Sequence, residues 1–195
     1  MNTRIEDMRQ KLMKELDDAR YQHTLGVMYT AASMAMRYGE DVEKALIAGL
    51  LHDCAKCIPG SVKLDLCNEN DIKVTLIEQK NPGLLHAKLG AYLACKKYHV
   101  EDEDILMSIK SHTTGRPGMS LLEKIIYIAD FMEPGRKELP NMKDVRRLAF
   151  EDIDKCLFRI LKDSLDYLRN QDYVIDPKTE ETYKYYKAIM EGEDA

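Results

Sequence analysis

The chain has 195 residues, of which 45% are hydrophobic and 32% charged, a composition typical of a folded globular protein rather than a disordered or fibrous one. Its formal net charge of −5 argues against a protein that coats the phosphates of duplex nucleic acid. A pocket for a small phosphorylated ligand is still compatible with that charge, because such a pocket needs only a few local cations.

Neither the apolar runs nor the cysteines indicate export or membrane insertion. The longest uncharged apolar run, residues 45–51, is far too short to cross a bilayer, and the N-terminus lacks the apolar segment of a signal peptide. We therefore expect a cytoplasmic protein without membrane association. The five cysteines form an odd set without framework spacing, which indicates reduced thiols. Cys54 and Cys57 resemble half a zinc site, but no second pair completes it.

Helical patterns dominate, and no segment alternates apolar and polar residues well enough to predict a strand, so we expect an all-α fold. Gly39 is placed to end the second helix and Asp41 to cap the third. Small residues at positions 45, 48 and 49 would let another helix approach the third one closely. These first three helices are expected over residues 3–16, 18–38 and about 42–56.

The second half of the chain continues the helical pattern. Ser120 and Glu123 predict a capping box, and the tyrosines of the tail are expected to pack rather than to react. We expect one domain over residues 1–195, in which residues 141–195 form a C-terminal helical extension packed on the rest. The further helices are expected within residues 61–71 and over 72–79, 84–98, 105–112, 121–132, 145–150 and 153–168, followed by a tail helix.

Histidines and aspartates interrupt the predicted core faces of several helices. Taken alone, the pair His52-Asp53 favours a buried hydrogen bond over a metal site. Each further imidazole or carboxylate on a core face also needs a partner, because burying it alone is costly, and together they need a shared explanation. His99 lies in a polar segment and is expected to be solvated. The imidazoles and carboxylates that interrupt predicted core faces are those of His23, His52, Asp53, His86, His112 and Asp130.

Six nitrogen and oxygen donors without a thiolate are more than one structural zinc ion uses. Such a set suits two metal ions with open positions for water and substrate. Adjacent residues of a helix point about 100° apart, so His52 and Asp53 can approach the centre from different angles. We therefore expect Asp53 to bridge the two ions.

The order of these residues resembles that of the HD-domain metal-dependent phosphohydrolases, and the two central histidines, His86 and His112, resemble those of the dinuclear subset. Three flanking motifs make the resemblance more specific. They are similar to motifs of the YqeK branch, the iron-dependent symmetrical bis(5′-nucleosyl)-tetraphosphatases. The motifs are Asn-Pro-Gly-Leu-Leu-His at 81–86, His-Thr-Thr-Gly-Arg at 112–116 and Ala-Asp-Phe-Met-Glu-Pro-Gly-Arg at 129–136.

The resemblance implies a helical HD-domain bundle with the metal site between its core helices. It further implies two divalent metal ions, with iron expected and manganese, cobalt, nickel or zinc also admitted by nitrogen and oxygen ligands. By the same resemblance one ion is bound by His23, His52, Asp53 and Asp130, and the other by Asp53, His86 and His112.

The implied reaction is the symmetrical cleavage of diadenosine tetraphosphate into two nucleoside diphosphates by a hydroxide that bridges the metal ions. We expect Lys56, Arg116 and Arg136 to neutralise phosphate oxygens, with a solvated surface charge as the alternative for each. Two other functions stay open: a different HD phosphohydrolase acting on nucleotides or alarmones, and a metal-containing nucleotide sensor with incidental hydrolysis. The oligomeric state is open, with a homodimer as one option.

Overall fold

The computed structural model describes residues 3–171 and 174–192. Within these ranges the chain forms helices and connecting loops without a β-strand, which confirms the all-α prediction. None of the helices described is long and apolar enough to span a membrane. The helices are α1 (Thr3–Leu12), α2 (Asp18–Tyr38), α3 (Val42–Leu51), α4 (Gly60–Glu69), α5 (Leu76–Lys80), α6 (His86–Tyr98), α7 (Glu103–Ser111), α8 (Leu121–Met132), α9 (Met142–Glu151), α10 (Ile153–Asn170) and α11 (Pro177–Glu191), with a 3₁₀ turn at Pro82–Leu85.

Side-chain caps fix the helices that carry the candidate site. The carboxylate of Asp17 accepts a backbone N–H at the start of α2, and Gly39 ends that helix in the left-handed conformation, with a φ of 74°. Asp41 caps α3 in the same way. At α8, Ser120 and Glu123 form the predicted capping box. Caps of this kind contribute about 0.5–2 kcal/mol each, so local sequence sets where these helices begin.

The end of α3 differs from the sequence prediction. The helix stops at Leu51, and residues 52–57 form tight turns instead of continuing the helix to Lys56. There the backbone N–H of Cys54 donates to the Leu51 carbonyl and that of Lys56 to the Asp53 carbonyl. Asp53 therefore lies on a turn, and its direction is set by that turn rather than by helical spacing.

The small-residue face of α3 allows the close approach that the sequence predicts. Ala45 and Ala48 are fully buried. A Cβ atom at Gly49 would lie only 2.8 Å from the Cα atom of Met28 in α2. This contact brings α2 against α3, so that His23 on α2 reaches the turn that follows α3.

Helix α8 lies at the centre of the helical fold and contacts α2, α3, α7 and α10. One apolar core runs from Ile5 to Tyr186, and a smaller cluster around Cys67 lies beneath α4. The buried Tyr186 hydroxyl accepts a hydrogen bond from the backbone N–H of Met119 at 2.9 Å, which ties α11 to the loop before α8. The division into a domain with a C-terminal extension at residues 141–195 stays a prediction.

Candidate metal centre

The structure brings the six predicted ligands together between α2, the turn after α3, the start of α6, the end of α7, and α8. His52, Asp53, His86 and His112 are at most 3% exposed. His23 and Asp130 are less deeply buried, with side-chain exposures of 9% and 21%. Residues that are up to 107 positions apart in the chain thus form one cluster whose open side lies at Asp130.

Asp53 divides its two carboxylate oxygens between two pairs of histidines. Its Oδ2 atom lies 3.5 Å from Nε2 of His52 and 4.0 Å from Nε2 of His23. Its Oδ1 atom lies 3.2 Å from Nε2 of His86 and 3.6 Å from Nε2 of His112. This is the arrangement expected of a carboxylate shared between two metal ions.

Asp130 completes one side of the cluster. Its Oδ1 atom lies 3.0 Å from Nε2 of His23 and 3.6 Å from Nε2 of His52. His23, His52 and Asp130 form one group of donor atoms close enough to share an ion, and His52, Asp53 and His112 form a second. In the second group His52 stands where the resemblance implies His86, whose Nε2 is nevertheless only 3.0 Å from Nε2 of His112.

Three of the histidines are oriented by backbone carbonyls three residues earlier in the chain. The Nδ1 atoms of His52, His86 and His112 lie 2.7, 2.6 and 2.7 Å from the carbonyl oxygens of Gly49, Gly83 and Ile109. A carbonyl oxygen only accepts a hydrogen bond, so each Nδ1 carries the proton. In the neutral imidazole the lone pair is then on Nε2, the atom that faces the cluster.

The fourth histidine is oriented by a carboxylate that the sequence analysis missed. Nδ1 of His23 lies 3.0 Å from Oε1 of Glu133, and Glu133 is only 2% exposed. The backbone N–H of Gly135 donates to the other oxygen at 2.5 Å. Glu133 lies in the motif at 129–136, but its sequence carries no signal for this role other than its position three residues after Asp130.

The cluster passes a structural test for metal binding. Nε2 of His23, Nε2 of His52 and Oδ1 of Asp53 are buried and have no hydrogen-bond partner in the part of the chain described. The lone-pair-bearing Nε2 atoms of His86 and His112 also face each other. Buried polar atoms without partners are costly, and bound divalent metal would supply the partner that Nε2 of His23, Nε2 of His52 and Oδ1 of Asp53 lack. Imidazole and carboxylate donors suit a divalent transition metal.

The electrostatics favour the protonation states that bind metal. Burial by itself would raise the pKa of Asp53, but the imidazoles of His52, His112 and His86 outweigh it and hold that pKa well below its ordinary value. The pKa of Asp130 is lowered in the same way, since His23 and His52 outweigh burial. Burial lowers the pKa of His86 to about 4. At neutral pH both carboxylates are therefore ionised and His86 is neutral.

Three cations lie beside the cluster, two of which the sequence analysis predicted. Nζ of Lys56 lies 3.1 Å from Nε2 of His86 and 3.8 Å from Oδ1 of Asp53. Nη2 of Arg136 donates to Oδ1 of Asp130 at 2.6 Å. Arg20, which the sequence analysis did not single out, donates from Nη1 to Oδ2 of Asp53 at 2.8 Å. Its position three residues before His23 was the available signal.

The side chain of Arg116 pairs with Glu123 rather than with a ligand of the cluster. Its Nε and Nη2 atoms donate to the two carboxylate oxygens of Glu123 at 2.7 and 2.6 Å, and its Nη1 donates to the Pro117 carbonyl. Glu123 also accepts a hydrogen bond from the hydroxyl of Ser111. The predicted contact of Arg116 with phosphate stays a prediction, and the contacts described favour a role in fixing the loop after His112.

A cavity of about 410 Å³ opens onto the cluster, and we call it the metal cavity. His86, His112 and Asp130 line its base, and Lys56, Arg136 and Lys137 supply positive charge. Its volume is in the range of small-molecule sites. Apolar and aromatic walls complete it, formed by Tyr127, Phe131, Leu139 and Met142.

The chain belongs to the HD domain family, because residues 20–135 match the sequence model of that family. The fold, the family and the histidine–aspartate cluster together define a metal-dependent hydrolase. This confirms the family resemblance inferred from the sequence motifs.

Within that family the chain is similar to proteins named symmetrical bis(5′-nucleosyl)-tetraphosphatase. It is 41% identical to the one from Bacillus subtilis (strain 168), a match that covers 88% of this chain and 91% of the relative. It is 33% identical to that from Staphylococcus aureus, over 93% of this chain and 94% of the relative. A crystal structure from Clostridium acetobutylicum, described as a predicted HD superfamily hydrolase involved in NAD metabolism, matches with a TM-score of 0.91 and 41% identity, covering 94% of this chain and 97% of that one.

Proposed function

We propose that this protein hydrolyses diadenosine tetraphosphate and related dinucleoside polyphosphates symmetrically, at the centre formed by His23, His52, Asp53, His86, His112 and Asp130. The observation that carries the proposal is the convergence of four imidazole Nε2 atoms on two ionised carboxylates at the base of a cationic cavity. The names of the Bacillus subtilis and Staphylococcus aureus relatives support the substrate class.

We further propose that the centre holds two ions, with iron as the expected metal. Asp53 would contact both ions, because each of its oxygens faces one pair of histidines. When bound, such ions polarise phosphoryl oxygens and lower the pKa of water toward neutrality. Arg20 holds Oδ2 of Asp53 from the side and so keeps the carboxylate oriented.

The cations beside the centre suit the charge of a tetraphosphate chain. Arg136 has a side chain that is 38% exposed, and that of Lys56 is 37% exposed, so both reach the metal cavity while contacting ligands. Each can neutralise phosphate oxygens as charge develops on the leaving nucleoside diphosphate. Because a nucleoside diphosphate leaves readily, charge neutralisation matters more here than a strong general acid.

The reaction adds water across the central phosphoanhydride bond. The water oxygen bonds to one of the two inner phosphorus atoms, the bond from that atom to the central bridging oxygen breaks, and the bridging oxygen departs with the other ADP. The test is hydrolysis of diadenosine tetraphosphate in ¹⁸O-water by protein purified without oxygen and analysed for metal. The expected products are two ADP molecules, of which one carries a single ¹⁸O atom.

Formation of AMP and ATP would overturn the symmetrical reaction. A panel that includes nucleoside monophosphates, ATP and alarmones tests the substrate class, and we expect diadenosine tetraphosphate to exceed each of them by about 100-fold in kcat/KM. Tight nucleotide binding without turnover, in protein with full metal occupancy, would instead indicate a nucleotide sensor.

A further inference from the structure

A second cavity of about 440 Å³ lies next to the metal cavity, and we call it the lateral cavity. It is formed by α5, the 3₁₀ turn and start of α6, the end of α7 and the start of α11. Apolar side chains make up much of its wall, among them Leu76, Ile77, Leu84 and Ala87. None of the predicted ligands lines it, so the metal centre by itself does not explain it.

The two cavities meet at Thr113, which lines both. The Oγ1 atom of Thr113 lies 3.2 Å from Nε2 of His86 and 3.2 Å from Nε2 of His112. A ligand whose middle part lies at the metal centre therefore has two adjoining cavities within reach. One is the metal cavity beside Asp130, and the other is the lateral cavity beyond Thr113.

The edge of the lateral cavity carries two lysines that have no ion-pair partner in the part of the chain that the structure describes. Lys110 and Lys178 line it, are exposed, and form no ion pair among the residues described. A third cation, Lys88, is bound to Glu78 at 2.8 Å. The other carboxylate of the lining, Asp176, accepts the backbone N–H of Lys178. The two free lysines thus give the cavity edge an affinity for anions.

We propose that the lateral cavity binds the second nucleoside of the dinucleoside polyphosphate, while the metal cavity binds the first. The proposal rests on the proposed function, because a substrate cleaved at its centre carries one nucleoside on each side of the reacting bond. The apolar wall suits the faces of a base. Lys110 and Lys178 suit the phosphates that lead to it, and each cavity has the volume of a small-molecule site.

The test removes apolar surface from the lateral cavity without adding charge. Leu76 is 76% exposed, so Leu76→Asn leaves the core intact. We compare diadenosine tetraphosphate with adenosine 5′-tetraphosphate, which has the same phosphates but one nucleoside. We expect kcat/KM for diadenosine tetraphosphate to fall about tenfold in the variant, mainly through KM, and that for adenosine 5′-tetraphosphate to change by less than about twofold.

The matched control is Met36→Asn, since Met36 is 68% exposed on α2 and lines neither cavity. Both substrates should keep their wild-type kcat/KM in this variant. Equal losses for the two substrates in Leu76→Asn, or no loss for either, would overturn the lateral cavity as a nucleoside site.

A binding measurement separates this proposal from the proposed function. The probe is diadenosine tetraphosphate with a methylene group in place of the central bridging oxygen, which cannot be cleaved there. Its dissociation constant should rise about tenfold in Leu76→Asn and stay unchanged in Met36→Asn. If this shift occurs while the wild-type protein does not hydrolyse the natural substrate, only the proposed hydrolysis fails. An unchanged dissociation constant would overturn the nucleoside site.

Discussion

The two ends of the metal centre are held by different means. At one end His86 and His112 donate to carbonyl oxygens three residues earlier, so the local backbone orients each ring, as it does for His52. At the other end His23 depends on Glu133, which lies 110 positions away in the chain. The first end is fixed once its turns and helices form, whereas the second is complete only after α2 and the end of α8 have packed.

This difference has a consequence for mutation. A backbone carbonyl cannot be removed by changing a side chain. Side-chain substitutions therefore leave in place the carbonyl oxygens that orient His86 and His112. The His23 end depends on one buried carboxylate, which a single substitution can change. The orientation of His23 should therefore be easier to disrupt by mutation than that of His86 and His112.

The largest effect is expected at Asp53, the residue that both ends share. In Asp53→Asn the side chain keeps its shape but loses the charge that both pairs of histidines face. We expect kcat/KM for diadenosine tetraphosphate to fall at least about 1,000-fold, or about 4 kcal/mol, together with the metal content. Steady-state kinetics and metal analysis check this, with the exposed Asp65→Asn as control. Full activity in Asp53→Asn would exclude the shared-carboxylate centre.

The second largest loss is expected at the His23 end of the metal centre, where the distant carboxylate of Glu133 orients the ring. Glu133→Gln keeps the volume of the side chain but removes the charge that fixes the proton on Nδ1 of His23. We expect metal affinity or activity to fall about 10- to 100-fold. The exposed Glu69→Gln is the matched control. Metal titration followed by kinetics distinguishes a weakened site from a damaged fold, because saturating metal should restore part of the activity only in the first case.

A third effect comes from Gly26, which makes room for Glu133. A Cβ atom at Gly26 would lie 2.3 Å from Oε2 of Glu133, so in Gly26→Ala the carboxylate must move. We expect about a tenfold loss of kcat/KM, because small displacements of catalytic groups are costly.

The control for Gly26 is a double-mutant cycle with Glu133→Ala. In that background no carboxylate is left to displace, so Gly26→Ala should cost less than about twofold. Additive losses would show that Gly26 acts on something other than Glu133.

The smallest effect on activity is expected outside the metal centre, at the contact of Tyr186 in α11 with the loop before α8. In Tyr186→Phe the backbone N–H of Met119 loses the hydroxyl that accepts its hydrogen bond. We expect the free energy of unfolding to fall by about 1–2 kcal/mol, with kcat/KM within about twofold of wild type. Chemical denaturation measures the change, and the half-exposed Tyr29→Phe serves as control. A large loss of activity would mean that α11 positions the centre as well as stabilising the fold.

Local sequence predicted much of the fold because the signals that define a helix lie within it. The caps at Asp41 and Ser120 and the left-handed end at Gly39 lie where the sequence predicts them. The prediction failed after Leu51, where an apolar run suggests a continuing helix. Tight turns and the contact of the His52 ring with the Gly49 carbonyl instead end α3.

The sequence by itself determined which residues could form the centre, since imidazoles and carboxylates on apolar faces require a common partner when buried. Only the tertiary structure decided how these residues are arranged and supported. In the folded chain each oxygen of Asp53 faces one pair of histidines. Arg20 contacts Asp53, Glu133 contacts His23, and Arg116 pairs with Glu123. The physical reason is that these contacts join residues far apart in the chain, and helix periodicity carries no information about them.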